Sequence, residues 1–363
     1  MPPKRKVTPE LKTARMEIGA VIAEALAQQH GEENVGTGAS DRGVTIALAG
    51  VIPTGVATID EATGRGGIPY GRLTVLTGAE GTGKTTLALT LASQVHGLGG
   101  VCFYLDTEKK LDRDYARALG VSLENLIVGR PDTLEGAFEL AESAVRMVHA
   151  KNVSVPVLIV LDSIHGSVPS SEYGLEYSKA TPAAQARVMS RAIPRIFARV
   201  GSQKVAFVFI SQYRETIGMY SAREKVGGGN AVKFFASLVL ELARKTMLEE
   251  QKRKAGSVNI CRVTKNQIAA PFGEGEFVVR WGAGIDRDLA LIEVAKKRCV
   301  AEQSTGGWVR VLLPGGEIVK WQGDSGMRRM FKERPELPTL IRQSMEENRQ
   351  LVVEQEKAEG EDE

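Results

Sequence analysis

Apolar and polar positions change period several times along the chain, and each change predicts an element. Over Thr8–Gln29 the residues Leu11, Ile18, Val21, Ile22, Ala25 and Leu26 recur at helical spacing, and Gly31 suits the end of that helix. Glu32–Gly43, rich in Gly, Ser, Thr and Asp, reads as a linker ahead of the short apolar run Val44–Leu48. From Gly71 onward, the near-continuous apolar runs Leu73–Leu76, Val101–Leu105, Val157–Leu161 and Val205–Ile210 predict strands buried on both faces of a parallel sheet. Helical stretches lie after them, over Thr86–Gln94, Leu111–Leu119, Thr133–Ala150 and Pro182–Val200, which is an α/β arrangement. The further strands Leu238–Leu242, Val258–Val263 and Phe277–Trp281 are separated by turns, so the sheet gains an antiparallel extension.

Beyond Gly284 the pattern changes to a helix, Arg287–Ala301, and then a hairpin, Trp308–Leu313 and Glu317–Trp321 around Pro314-Gly315-Gly316. Two helices split by Pro335 follow. The chain therefore divides into an N-terminal helix and linker (1–48), a mostly parallel α/β core (49–285), a small α+β domain (286–345) and an acidic tail (346–363). A detached amphipathic helix must bury its apolar face, either on its own domain or on a neighbouring subunit, and periodicity leaves both open.

The strand Leu73–Leu76 runs into Gly78-Ala79-Glu80-Gly81-Thr82-Gly83-Lys84-Thr85, followed by Thr86 and a helix. Glycines at these positions let successive backbone N–H groups converge on one anion at the positive end of a helix, the phosphate-loop arrangement. Lys84 would reach the β and γ phosphates of a nucleoside triphosphate, and the Thr85 hydroxyl would hold Mg2+. A triphosphatase also needs an acid near the metal, a base for water and a sensor of the γ-phosphate. Asp162 closes the run Val157–Leu161 and suits the metal; Glu108 lies just past Val101–Leu105 and suits the general base; Gln212 ends Val205–Ile210 and suits the sensor. The segment Tyr213–Gly229 carries Arg214, Arg223 and Lys225 and ends in Gly227-Gly228-Gly229 before Asn230, which suits a nucleic-acid backbone, although Glu215 and Glu224 leave one positive charge in excess. A second loop, Ser170–Thr181, leads into a helix bearing Arg187, Arg191 and Arg195.

Composition changes this picture little. The chain has 363 residues, 43% hydrophobic and 25% charged, the profile of a soluble globular protein with one large core and appendages. A net charge of +3 does not by itself imply a nucleic-acid partner. Its distribution is uneven, with Lys4, Arg5, Lys6, Lys12 and Arg15 near the start and Glu354, Glu356, Glu359, Glu361, Asp362 and Glu363 at the end. Cys102, Cys261 and Cys299 are odd in number and widely spaced, which suits a reducing compartment; no metal-ligand spacing links them to the four histidines. No apolar run of membrane-spanning length and no signal-peptide pattern is present, so a cytoplasmic protein without a membrane partner is expected.

Taken together, these segments resemble a RecA-type homologous recombinase over nearly the whole chain. The resemblance rests on Gly78–Thr86, Tyr104–Glu108 with Leu111-Asp112 and Tyr115-Ala116-Arg117, Arg130–Thr133, Leu158–Ser163 and Arg187–Ser190. It continues through Ser211-Gln212, Gly228–Ala231, Lys233-Phe234, Lys265-Asn266 and Ile268–Phe272. It implies a P-loop ATPase that uses ATP and Mg2+, forms a helical filament of its own copies on single-stranded DNA and pairs it with homologous duplex DNA. A single-strand-binding protein or loader is an expected accessory. The resemblance places Asp112 and Tyr115 at adenine, Lys265 and Pro271 at the nucleotide (Lys265 from the neighbouring subunit), and Lys233 and Phe234 at the subunit interface. It assigns Arg187, Arg214 and the two loops to DNA, and it favours docking of the N-terminal helix on a neighbour.

Two positions depart from the pattern. The bacterial family carries two lysines, two residues apart, toward the γ-phosphate across the interface; here the first is Lys265 and the second position is Gln267, one charge short. The first loop carries Tyr173, Tyr177, Lys179 and Pro182 in place of more usual acidic and small residues. A ring-forming helicase and a DNA-binding regulator without turnover share the same core. The Gly228-Gly229-Asn230 segment and the C-terminal part favour the recombinase over the first, and Lys84, Glu108 and Asp162 favour it over the second. The acidic tail is expected to compete with DNA for Lys296, Lys297, Arg298, Arg328 and Arg329.

Overall fold

A computed structural model describes residues 9–30, 50–174, 184–200, 203–214, 225–226, 229–250 and 253–348. After helix α1 (Pro9–His30) and a short helix α2 (Ala57–Ala62), the core alternates strand and helix: β1 (Leu73–Gly78), α3 (Lys84–Gly97), β2 (Val101–Asp106), α4 (Arg113–Ala118), β3 (Leu126–Gly129), α5 (Leu134–Ala150) and β4 (Val157–Asp162). It continues with α6 (Ala184–Val200), β5 (Val205–Arg214), α7 (Gly229–Phe235), β6 (Ala236–Glu250), β7 (Arg253–Asn266) and β8 (Glu274–Arg280). The sheet order is β8-β7-β6-β1-β5-β4-β2-β3, with the short strand Gly284–Ile285 beyond β8. Neighbours from β6 to β3 run parallel, whereas β6, β7 and β8 form an antiparallel extension.

The continuous apolar runs have a direct cause. In β4, Leu158 and Val160 enter the core under α3, while Val157, Ile159 and Leu161 enter the core under α5 and α6. β5 divides in the same way, with Ala206, Val208 and Ile210 on one face and Val205, Phe207 and Phe209 on the other. Both faces of these strands are covered, so no position is left for a polar residue. β3 is different: it is short, at the sheet edge, and exposes Ile127 and Val128. That strand carries too few residues to announce itself by pattern.

The last part of the chain has its own core. Helix α8 (Arg287–Lys297), strands β9 (Ala301–Gln303), β10 (Trp308–Leu312) and β11 (Ile318–Gln322), helix α9 (Gly323–Glu333) and helix α10 (337–348) enclose Leu291, Val311, Trp321, Phe331, Leu337 and Ile341. The helix expected to reach Ala301 stops at Lys297, and Ala301 opens β9, so the expected hairpin is the central and outer part of a three-stranded sheet. Asp286 joins this part to the core. Its carboxylate caps α8 through Leu289 N (3.2 Å) and accepts Arg280 Nε (2.9 Å) and Arg328 Nη2 (2.6 Å). Burial raises the Asp286 carboxyl pKa, but the two guanidinium groups outweigh it and hold the group below the usual carboxylate range.

The positive charge expected here is smaller than its residue count. Lys296 pairs with Glu293, Arg298 with Glu61 and Arg328 with Asp286; Lys297 and Arg329 have no acidic partner among the described residues. On α1, Ile18, Val21, Ile22 and Leu26 are exposed, so this face is not buried within the described chain. Cys102 and Cys261 are buried and Cys299 is exposed, all unpaired.

Candidate active site

The parallel strands deliver their C-terminal ends to one edge, where open α/β sheets gather ligands. β1 ends at Gly78, whose backbone lies against β6: a Cβ there would meet Leu242 O at 2.2 Å, and its φ of +147° is one that favours glycine. The chain turns through Ala79–Thr82, pinned by Thr82 Oγ1 donating to Ala79 O (2.9 Å), and enters α3 at Gly83 in the left-handed conformation. Helices α4, α5 and α8 are capped by the side chains of Asp112, Thr133 and Asp286. No side chain caps α3. Its first-turn N–H groups therefore lack the side-chain partner that those three helices have, which suits an anion.

Lys84 opens α3 and is buried, with Nζ donating to Gly78 O (2.9 Å) and Ala79 O (2.7 Å). Burial lowers its pKa, opposed by Asp162, Glu108 and Glu80. The Thr85 hydroxyl donates to Asp162 Oδ2 (2.9 Å), and the same oxygen accepts Tyr104 Oη at 2.5 Å. Asp162 is raised by burial, against the hydrogen bonds from Tyr104 and Thr85 and with the aid of nearby Glu108 and Asp106.

Asp106 ends β2 directly opposite Asp162 in β4 and organises the following turn by accepting Lys110 N (3.1 Å) and Leu111 N (3.2 Å). That turn lifts Glu108 over the strand ends. Glu108 Oε1 accepts Ser163 Oγ (2.7 Å) and Gln212 Nε2 (3.3 Å), and Oε2 pairs with Lys110 (3.1 Å). Burial pushes its carboxyl pKa up, but Ser163, Lys110 and Lys84 overcome that and keep it low, so the group is an ionised carboxylate at neutral pH. Gln212 is the parallel-register partner of Gly78. Lys84, Thr85, Glu108, Asp162 and Gln212 thus meet around one edge.

Other expected residues take separate places. Asp112 Oδ1 caps α4 through Asp114 N (2.8 Å) and Tyr115 N (3.1 Å), and Tyr115 Oη bonds Thr86 Oγ1 (3.0 Å), which keeps both beside the start of α3. Lys265 is not brought to the phosphate loop of its own chain. Lys265 lies opposite Val239 and Val239 opposite Val75, three residues back from Gly78, or about 10 Å along the sheet. Lys265 Nζ instead caps α7 at Lys233 O (2.7 Å) and Phe234 O (3.1 Å). Lys233 is exposed, and Phe234 is 77% exposed although it is a large apolar residue. Arg187 is exposed on α6; Arg214 ends β5 in register with Lys225, and Gly229 and Asn230 open α7. Arg223, Gly228, residues 175–183 and the tail beyond 348 lie outside the described residues.

Sequence reasoning missed Tyr104, Ser163 and Arg244 as members of the site. Arg244 Nη2 donates to Gly81 O (3.0 Å) from β6, two residues beyond the Leu242–Gly78 register pair. It also missed Phe272, 78% exposed with φ of +69°, a conformation a bulky residue rarely adopts. Tyr104, Ser163 and Phe272 lie in runs that carry the resemblance, but their own contacts depend on what the register brings beside them.

An uncapped helix behind a glycine loop, a buried lysine in that loop, and a hydroxyl–carboxylate pair between that helix and the end of β4 define a phosphate-loop nucleoside triphosphatase core. A family model described as the RecA N-terminal domain matches residues 20–286. The chain is 38% identical over 314 residues to Protein RecA of Geobacter sulfurreducens, covering 85% of this chain and 90% of that protein. It is 39% identical over 297 residues to Protein RecA of Aquifex aeolicus, covering 82% and 83%, and 36% identical over 305 residues to Protein RecA of Brucella anthropi, covering 84% and 81%. The chain belongs to the RecA family, a family of DNA-dependent ATPases with strand-exchange activity.

Proposed function

We propose that this chain is an ATP-dependent DNA recombinase that assembles on single-stranded DNA, pairs it with a homologous duplex and exchanges the strands. The observation that carries the reading is the contact of Gln212 with Glu108, because it ties the carboxylate placed for hydrolysis to the strand that leads into the segment proposed for DNA. ATP is the substrate. Lys84 exchanges the Gly78 and Ala79 carbonyls for β and γ phosphate oxygens, and the free N–H groups at the start of α3 receive the phosphates. Tyr115 and Asp112 hold the adenine side.

Thr85 and Asp162 fit a magnesium ion: the pair is a hydroxyl and a carboxylate, hard oxygen donors, and among the described residues no cluster of His, Cys, Asp and Glu forms a full cage. Bound with the phosphates, the ion would neutralise charge on the transferred group. Glu108, ionised and oriented by Ser163, takes the proton of the attacking water. Gln212 exchanges its Glu108 contact for the γ-phosphate and so moves Arg214 with nucleotide state. Arg187, Arg214, Arg223 and Lys225 hold DNA phosphates, aided by Gly228, Gly229 and Asn230.

The neighbouring subunit completes the site. Lys265 reaches the nucleotide of the next copy, with Lys233, Phe234 and Pro271 in the contact and the apolar face of α1 docked on the adjacent core. No described helix is long and apolar enough to cross a membrane, and the proposed site of action is the cytoplasm. Strand exchange between a circular single strand and a homologous linear duplex with ATP tests the reading. Joint molecules should require homology and disappear in Lys84→Ala; unwinding without pairing would overturn it.

A further inference from the structure

We propose that Tyr104 is a positioning residue for the metal-bound nucleotide: its hydroxyl fixes the Asp162 carboxylate in the orientation that meets Thr85. The inference rests on the reading of Thr85 and Asp162 as the metal-holding pair. Tyr104 stands on β2, one strand in from the sheet edge, 1% exposed and in one core with Leu158, Val160 and Leu89. A phenylalanine would fill the same volume. The oxygen is the difference, and a buried hydroxyl without a partner is costly, so the phenol has a specific use for it.

Register shows what that use is. Tyr104 pairs with Val160 and Asp106 with Asp162, so the ring on β2 lies one strand over and two residues back from Asp162. The side chain spans that offset and places Oη 2.5 Å from Asp162 Oδ2, the oxygen that also accepts Thr85 Oγ1 at 2.9 Å. Burial, with Asp162 beside it, keeps the phenol protonated, so Tyr104 donates. Two hydroxyls from different elements, β2 and α3, converge on one carboxylate oxygen. Rotation of the carboxylate about its last bond breaks both contacts. With Tyr104 present, Thr85 meets an acceptor already in place; with phenylalanine, Thr85 alone must both orient Asp162 and face the ion. Outer partners of metal-binding groups commonly contribute 10–100-fold to metal affinity.

The test compares the full chain with Tyr104→Phe. ATP binding is followed by calorimetry at one pH, first in EDTA and then across a range of free Mg2+. In EDTA the two proteins should bind ATP within about twofold of each other. The free Mg2+ needed for half of the metal-dependent gain should rise by about tenfold in the variant, within the range for such outer partners. In turnover assays the Mg2+ requirement should rise while kcat at saturating Mg2+ changes little. An unchanged Mg2+ midpoint overturns the proposal. Equal loss of binding with and without Mg2+ also overturns it, since that marks a packing role alone. Wild-type protein whose ATP binding ignores Mg2+ would instead overturn the metal-pair reading itself.

Discussion

At the loop edge of the sheet, charged and polar groups already hold one another: Lys84 the loop carbonyls, Thr85 and Tyr104 the Asp162 carboxylate, Ser163 and Gln212 Glu108. On the antiparallel side, Phe234 and Phe272 stand in solvent, Gln267 is exposed, and Lys265 reaches only the end of α7. The first region pairs its charged side chains within one chain and leaves the α3 N–H groups for an anion, whereas the second leaves apolar side chains in solvent. Most buried polar groups are paired, whereas contiguous exposed apolar surface is what marks a contact site. On the proposed reading, Lys84, Glu108 and Asp162 act within one subunit, and Lys265 and Phe234 meet its neighbour.

The largest effect should come from the loop edge. Glu108→Gln removes the base but keeps the shape, so DNA-stimulated turnover should fall by about 10²–10⁴-fold while ATP binding and filament formation persist. Loss of ATP binding in that variant would move Glu108 from chemistry to structure. On the other side, Phe234→Ala should leave monomer folding and ATP binding intact and raise the concentration needed for assembly by tens of fold, a hot-spot loss of roughly 2 kcal/mol read by light scattering. Assembly at the wild-type concentration would remove Phe234 from the interface.

Smaller changes sharpen the contrast further. Gln267→Lys restores a second cation at the contact and should raise DNA-stimulated turnover severalfold, roughly 1 kcal/mol of added stabilisation of the developing charge. Unchanged or lower turnover would mean that the missing charge is supplied elsewhere. The smallest functional effect is expected at Asp286, remote from both regions. Its carboxyl pKa is lower folded than unfolded, so its stabilisation is full above the unfolded value near 4 and fades as pH falls through the folded value. Asp286→Asn should therefore lower Tm at pH 7, and the gap from wild type should close in acid; a gap constant with pH would refute the clamp.

How much of this was legible depends on distance along the chain. The phosphate loop is eight consecutive residues, and the strands on either side are buried on both faces, so local pattern alone carried them. Glu108, Asp162 and Gln212 were legible because each ends or follows an apolar run, and strand ends in a parallel sheet share one edge. The strand over Leu126–Gly129 was not, since an edge strand of four residues, half exposed, has no distinctive period. Nor were the pairings of Lys296, Arg298 and Arg328, which cancel charges that a count along the chain adds together.

By itself, then, the sequence determined the α/β architecture, the loop built for phosphate and the identity of the residues at the strand ends. The resemblance singled out Gln267 as a position where a charge is expected. Only the tertiary structure decided that Tyr104 meets Asp162, that Arg244 reaches Gly81, and that Lys265 lies too far back to serve its own phosphate loop. The physical reason is register. A hydrophobic period fixes which face a residue takes, but the alignment of one strand against the next sets which side chains fall within 3 Å of each other, and no segment carries that alignment alone.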